Sequence, residues 1–193
     1  VIPVAAPPAF DGPLGELDRR SGGEIAALAA FGELSGKRFG TSLVSPGDVA
    51  AGRLLVVGVG DPTTLDREAI VRVAASAERR LGGRQVHSMA IWLTPLIGTD
   101  GLDGGADLVA ELVVRGVVEG SYDPKSIYRA EPDEQAKAER GDWSDIASPP
   151  TLDALILISP GGDAAAIGAA ATRGRIIGEG ANLARNLSNR AAN

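Results

Sequence analysis

Arg53-Leu54-Leu55-Val56-Val57-Gly58-Val59-Gly60-Asp61-Pro62-Thr63 sets a continuous apolar run directly before a tight polar turn. The run does not alternate apolar with polar, which is the pattern of a strand covered on both faces. Past the turn at Gly60-Asp61-Pro62-Thr63, a helix is expected to start near Thr63, with Asp66 placed to close a cap. Ile70, Val73, Ala74, Ala77 and Leu81 recur at helical spacing and form its apolar stripe. Arg72, Glu78, Arg79 and Arg80 fall off that stripe, and Gly82-Gly83 ends the helix. A buried strand feeding an amphipathic helix is the first half of a βαβ unit.

The same rhythm continues downstream. Val86 to Leu93 reads as a strand. Asp103 or Asp107 opens a helix with the stripe Val109, Leu112, Val113, Gly116, Val117 and Gly120, whose glycines would allow close packing on the sheet. Residues 124–150 are polar and rich in breakers, the composition of an exposed loop or excursion. Leu152 to Ile158 is a further strand. Asp163 to about Leu187 is a long alanine-rich helix with a stripe through Ile176, Ile177, Gly180, Ala181, Ala184 and Leu187. At ~1.5 Å per residue such a helix outruns a small domain and either supports it or reaches beyond it.

Upstream, Val1 to Ala6 reads as a strand ended by Pro7-Pro8. Asp11 to Leu17 suggests a short helix. Ser21 to Ala30 suggests a second, with Ser21 as N-cap and Glu24 at capping-box spacing. Gly32 to Pro46 suggests a hairpin or meander. The expected fold is α/β, a three-layer mixed but mostly parallel sheet flanked by helices and ending in a long linker helix. Residues 1–160 make the α/β domain and 161–193 the long helix and the start of a linker.

A chain of 193 residues can bury one sizeable core, and 44% hydrophobic with 23% charged residues is a globular composition. The net charge of -6 disfavours a nucleic-acid partner. The absence of cysteine removes thiol catalysis, disulfides and Cys-ligated zinc, and fits a reducing cytoplasm. No apolar run approaches the ~20 residues that span a bilayer. The chain begins Val1-Ile2-Pro3-Val4 without Met, so its start reads as trimmed and a lost leader stays open.

Residue by residue, the chain offers no convincing catalytic constellation. Gly58-x-Gly60 sits where a phosphate loop would, yet the third glycine of the fingerprint is replaced by Thr63, and Asp61 is negative, which favours a plain tight turn. His87 is the single histidine; it reads as a core or rim residue, with a general base as the alternative. Ser45, Ser159 and Ser188 lack a G-x-S-x-G elbow. Glu131-Pro132-Asp133-Glu134, on to Asp145, reads as a solvated loop before it reads as a divalent-metal site. Trp92 reads as core. Trp143 either packs on a partner subunit or folds back on its own domain.

Three stretches resemble the N-terminal domain of the leucyl (cytosol) aminopeptidases, a family of metallopeptidases. They are Arg53-Leu54-Leu55-Val56-Val57-Gly58-Val59-Gly60, Gly116-Val117-Val118-Glu119-Gly120-Ser121-Tyr122-Asp123-Pro124, and Ala184-Arg185-x-Leu187-x-Asn189. They follow the family's order and spacing from about residue 50 onward; residues 1–50 match only in outline. Asn186 stands where the family commonly has Asp, and Ala191 where it has Pro, both at the junction between domains. The resemblance implies a macro-domain-like N-terminal domain that supports a C-terminal peptidase domain. That second domain would carry two divalent ions (Mn, Zn or Mg) and release N-terminal residues from peptides. It also implies a homo-hexamer in the cytoplasm. No catalytic, cofactor-binding or metal-ligating position of the family falls within residues 1–193. The rival expectation is a free-standing macro-like module that binds ADP-ribose or a related nucleotide, supported by fold analogy alone.

Overall fold

A computed structural model describes residues 1–82, 84–98, 102–124 and 152–189. Along these residues run β1 (Ile2–Ala5), α1 (Gly12–Arg20), α2 (Glu24–Phe31), β2 (Thr41–Val44) and β3 (Leu54–Gly60). After them come α3 (Arg67–Leu81), β4 (Ser88–Trp92), α4 (Ala106–Gly120), β5 (Ala154–Ile158) and α5 (Ala164–Asn189). β3 is flanked by β1, parallel, and β2, antiparallel, with Ile2 opposite Val56 and Thr41 opposite Val57. β4 and β5 form a parallel pair with Met89 opposite Leu155. Val1 links the two sheets: its nitrogen donates to the Ala90 carbonyl at 2.5 Å, and the Trp92 N–H donates to its carbonyl at 3.1 Å.

Every residue of β3 is buried, and its alternate side chains enter different cores. Leu55, Val57 and Val59 join Ile70, Val73 and Val113 on the side of α3 and α4. Leu54 and Val56 join Ile2, Val4 and Ile25 on the side of α1 and α2. Two covered faces explain why the strand carries no polar alternation, and burying each Val or Leu contributes about 1.5–3 kcal/mol. The fold is thus mixed α/β with small, mostly parallel sheets between helices, and it ends in a long helix.

Several local expectations shift. α3 begins at Arg67 with Asp66 itself as N-cap, because Pro62–Thr64 is spent in a 3-10 turn and Leu65 is buried. The Asp66 carboxylate accepts the Ala69 N–H at 2.7 Å. Asp66→Ala is expected to lower stability by about 1 kcal/mol, read from urea unfolding. Ser21 does not cap α2. It closes α1, where its hydroxyl donates to the Asp18 carbonyl, and the left-handed Gly23 precedes α2. Glu24 instead accepts the Ser45 N–H at 2.8 Å. The hairpin lies between β2 and β3 rather than within residues 32–46. The strand expected over 86–93 shortens to Ser88–Trp92.

Gly116 and Gly120 do allow close packing, but against α3 rather than the sheet. A Cβ at Gly116 would lie 2.3 Å from the Val71 carbonyl oxygen, and one at Gly120 2.8 Å from Ala75 Cα. Residues 125–151 lie outside the described residues, and with them most of the loop expected over 124–150, the acidic cluster at 131–145 and Trp143.

Candidate functional site

α5 packs along α4 through its smallest residues. Ala170, Gly174 and Gly178 are its buried positions. A Cβ at Gly174 would lie 2.2 Å from the Glu111 carbonyl oxygen, so the two backbones are in near contact.

Toward the end of α4 the seam becomes polar for a physical reason. The last carbonyls of any helix lack partners within it. Asn182 Nδ2 donates to the Val118 carbonyl at 2.7 Å, and Arg185 Nη1 donates to the Glu119 carbonyl at 3.3 Å. Arg185 Nη2 meets Glu119 Oε2 at 2.8 Å, while Arg115 Nε holds Oε1 of the same carboxylate at 2.6 Å. The Arg185 guanidinium also lies 5.7 Å from the centroid of the Tyr122 ring, within cation–π range. Asn189 Nδ2 donates to the Tyr122 hydroxyl at 2.9 Å. Burial pushes the Glu119 carboxyl up, but Arg115 and Arg185 outweigh it and hold the group below the usual carboxylate range.

Tyr122 and Glu119 belong to one of the motif stretches, and Arg185 and Asn189 to another. The structure brings these two stretches into contact. Sequence reasoning found both but not their meeting, and it missed Arg115 and Asn182 altogether. The signal was a lone Glu119 in an otherwise apolar helix end, opposite an Arg in the following helix. Asn186 has a buried Oδ1 with no hydrogen-bond partner among the described residues.

An open groove of about 480 Å³ runs beside this clamp between α3 and Tyr122. Arg72 and Arg185, two of the cations lining it, are paired with Glu68 and Glu119. With Arg79 the charged lining is three arginines to two glutamates.

The glycine pair after β3 is not an open cradle. A Cβ at Gly58 would lie 2.1 Å from the Lys37 carbonyl oxygen, because residues 36–40 lie directly on it. Arg38 crosses Gly60 and donates to the Thr64 hydroxyl at 2.6 Å and the Thr64 carbonyl at 3.0 Å. The Thr63 hydroxyl, and then its N–H, hold the Asp61 carboxyl below its usual range, which keeps a negative charge on this turn. A phosphate would meet both a backbone and an anion there.

His87 sits on the exposed rim before β4, its Nδ1 3.0 Å from Asp153 Oδ2. Ser188 donates to the Ala184 carbonyl, and no serine is hydrogen-bonded to His87 among the described residues. Trp92 is half-buried against the core beneath α1 and α2. Among the described residues no group of three or more His, Cys, Asp or Glu is placed to hold a metal ion. None of the described helices is long and apolar enough to cross a membrane.

Residues 1–130 match the model of the cytosol aminopeptidase family, N-terminal domain. The chain is 30% identical over 179 residues to a probable cytosol aminopeptidase of Ralstonia pickettii, covering 92% of this chain and 33% of that protein. It is 30% identical over 188 residues to one of Solibacter usitatus, covering 96% and 32% respectively. The chain therefore spans about a third of the length of the curated relatives it matches. Among solved structures, the bottromycin maturation enzyme BotP superposes with a TM-score of 0.56 at 22% identity, over 98% of this chain and 33% of that one. BotP in complex with Mn gives 0.55 at 20% identity, over 98% and 32%. At these identities the likeness is one of fold. The family model and the curated relatives agree: the chain belongs to the cytosol aminopeptidase family, as its N-terminal domain.

Proposed function

We propose that residues 1–160 are the support domain, and residues 161–193 the linker, of a metal-dependent aminopeptidase that releases N-terminal residues from peptides. The observation that carries this reading is the clamp of Glu119, Tyr122, Asn182, Arg185 and Asn189, which fixes the departing helix on the α/β body. A linker held at several points sets the position of whatever follows it. The described residues do not fit a two-metal centre. We assign the two divalent ions (Mn, Zn or Mg) and all catalytic groups to the part of the parent protein outside this chain. One relative in fold, BotP, has been solved in complex with Mn, which makes manganese the first ion to try. On this reading the parent is a cytoplasmic homo-hexamer acting on peptides.

The parent protein is expected to release leucine from leucine amide when supplied with manganese, and to stop when the metal is chelated. No release with Mn, Zn or Mg would overturn the reading. The nucleotide-binding alternative is not favoured, since Lys37 and Arg38 fill the space at Gly58 and Gly60.

A further inference from the structure

α5 is patterned inside out. A helix that covers its own domain normally turns its large apolar residues inward. Here the inward positions are Ala170, Gly174 and Gly178, while Ile176, Leu183 and Leu187 are 58%, 59% and 60% exposed. These three are spaced seven and four apart, so they share one line along the helix. Leu183 follows Gly174 by nine residues, which places it about 180° around the helix from the buried face. Isolated exposed leucines need no explanation, but an aligned stripe of about 16 Å on a single face is the mark of a docking surface.

We infer that the Ile176–Leu183–Leu187 stripe is the seat of the part of the parent chain that follows α5. The inference rests on the reading that a peptidase domain follows. Three observations select this occupant. The curated relatives run to about three times the length of chain they share with this protein, and the shared part matches the family's N-terminal domain, which puts the rest after it in them. Asn182, Arg185 and Asn189 anchor the stretch of helix that presents Leu183 and Leu187, so the stripe cannot roll inward without breaking the clamp. A body tethered to the end of the same helix meets the stripe at an effective concentration in the millimolar range, which a separate molecule does not reach in solution.

The test is hydroxyl-radical footprinting of the full-length parent protein. Ile176, Leu183 and Leu187 are expected to react about tenfold more slowly than in the same chain unfolded in urea. That protection should persist on dilution, including after any assembly has dissociated to monomers, because the occupant is on the same chain. Reactivity as fast as in the unfolded chain would overturn the inference. Protection lost on dilution would also overturn it and assign the stripe to a second copy. Leu183→Glu in the full-length protein is expected to restore fast labelling at Ile176 and Leu187 while Ala170 and the clamp stay in place. Labelling is read without any turnover, so a failed footprint leaves the leucine-release result standing, and the reverse holds equally.

Discussion

Gly58→Ala is expected to destabilise the protein by about 3 kcal/mol, the upper end of what overpacking usually costs. The new methyl would lie 2.1 Å from the Lys37 carbonyl oxygen and 2.7 Å from the Gly36 carbonyl. These are backbone atoms, so no side chain can swing aside. The segment is also pinned: Phe39 N–H donates to Gly58 O at 2.8 Å, Gly58 N–H to Gly40 O at 2.8 Å, and Gly60 N–H to Gly36 O at 2.9 Å. Making room means lifting residues 36–40 and losing hydrogen bonds worth about 1 kcal/mol each. Gly52→Ala is the control, since nothing lies within 4 Å of its Cβ position; its effect is expected within about 0.5 kcal/mol. Urea midpoints of the two variants decide the matter. Equal midpoints would mean that Gly58 is permissive space, and would reopen the phosphate-loop reading.

The glycines also mark the limit of what the sequence discloses. The stripe of α4, from Val109 through Val117 to Gly120, is buried as its periodicity requires, and Ile70, Val73, Ala74 and Ala77 are buried in α3. Periodicity reports which side of an element is covered. It does not report by what. Gly116 was legible as a close approach, yet the partner is Val71 on a neighbouring helix and not the sheet. The missing third glycine and Asp61 mark Gly58 and Gly60 as a plain tight turn, but not what fills it, because that segment arrives from residues 36–40, distant in sequence. The Asp66 cap forms where its spacing puts it, whereas the capping box at Ser21 and Glu24 fails for a different reason. Ser21 and Glu24 have the right spacing, but two left-handed glycines, Gly22 and Gly23, lie between them, and Ser21 is taken by a local bond to the Asp18 carbonyl and Glu24 by a tertiary one from the Ser45 N–H. In α5 the apolar residues were legible and their direction was not. An alanine- and glycine-rich helix gives no amphipathic contrast, so only the packing on α4 reveals that Ile176 and Leu187 point outward.

Arg185→Ala is expected to cost about 2 kcal/mol, below the range for a fully buried pair because the Arg185 side chain is 42% exposed. The substitution removes a donor from the Glu119 carbonyl, one of two cations from a carboxylate whose side chain is 11% exposed, and the cover over Tyr122. Arg185→Lys keeps the charge but not the planar fork, and is expected to recover less than half of the loss. The pH dependence gives a second readout with a defined sign. Glu119 is held below its ordinary value of 4.5, so its contribution is fully present above that pH and is lost as pH falls through the lower folded value. The wild-type protein should therefore lose stability on acidification below pH 4.5, and the Arg185→Ala protein should lose less over the same interval, because one of the groups lowering Glu119 is gone. An equal acid loss in the variant would mean that Arg115 alone sets the Glu119 charge and that Arg185 acts only by packing. Hydrogen exchange then separates a local from a global effect. Asn182 and Asn189 remain in Arg185→Ala, yet both hold single neutral bonds. Exchange is expected to quicken from residue 182 to 189 while α3 and β3 stay protected. That outcome would make the clamp the hinge-stop of the linker, and the fixed direction of the outward stripe would follow from one guanidinium.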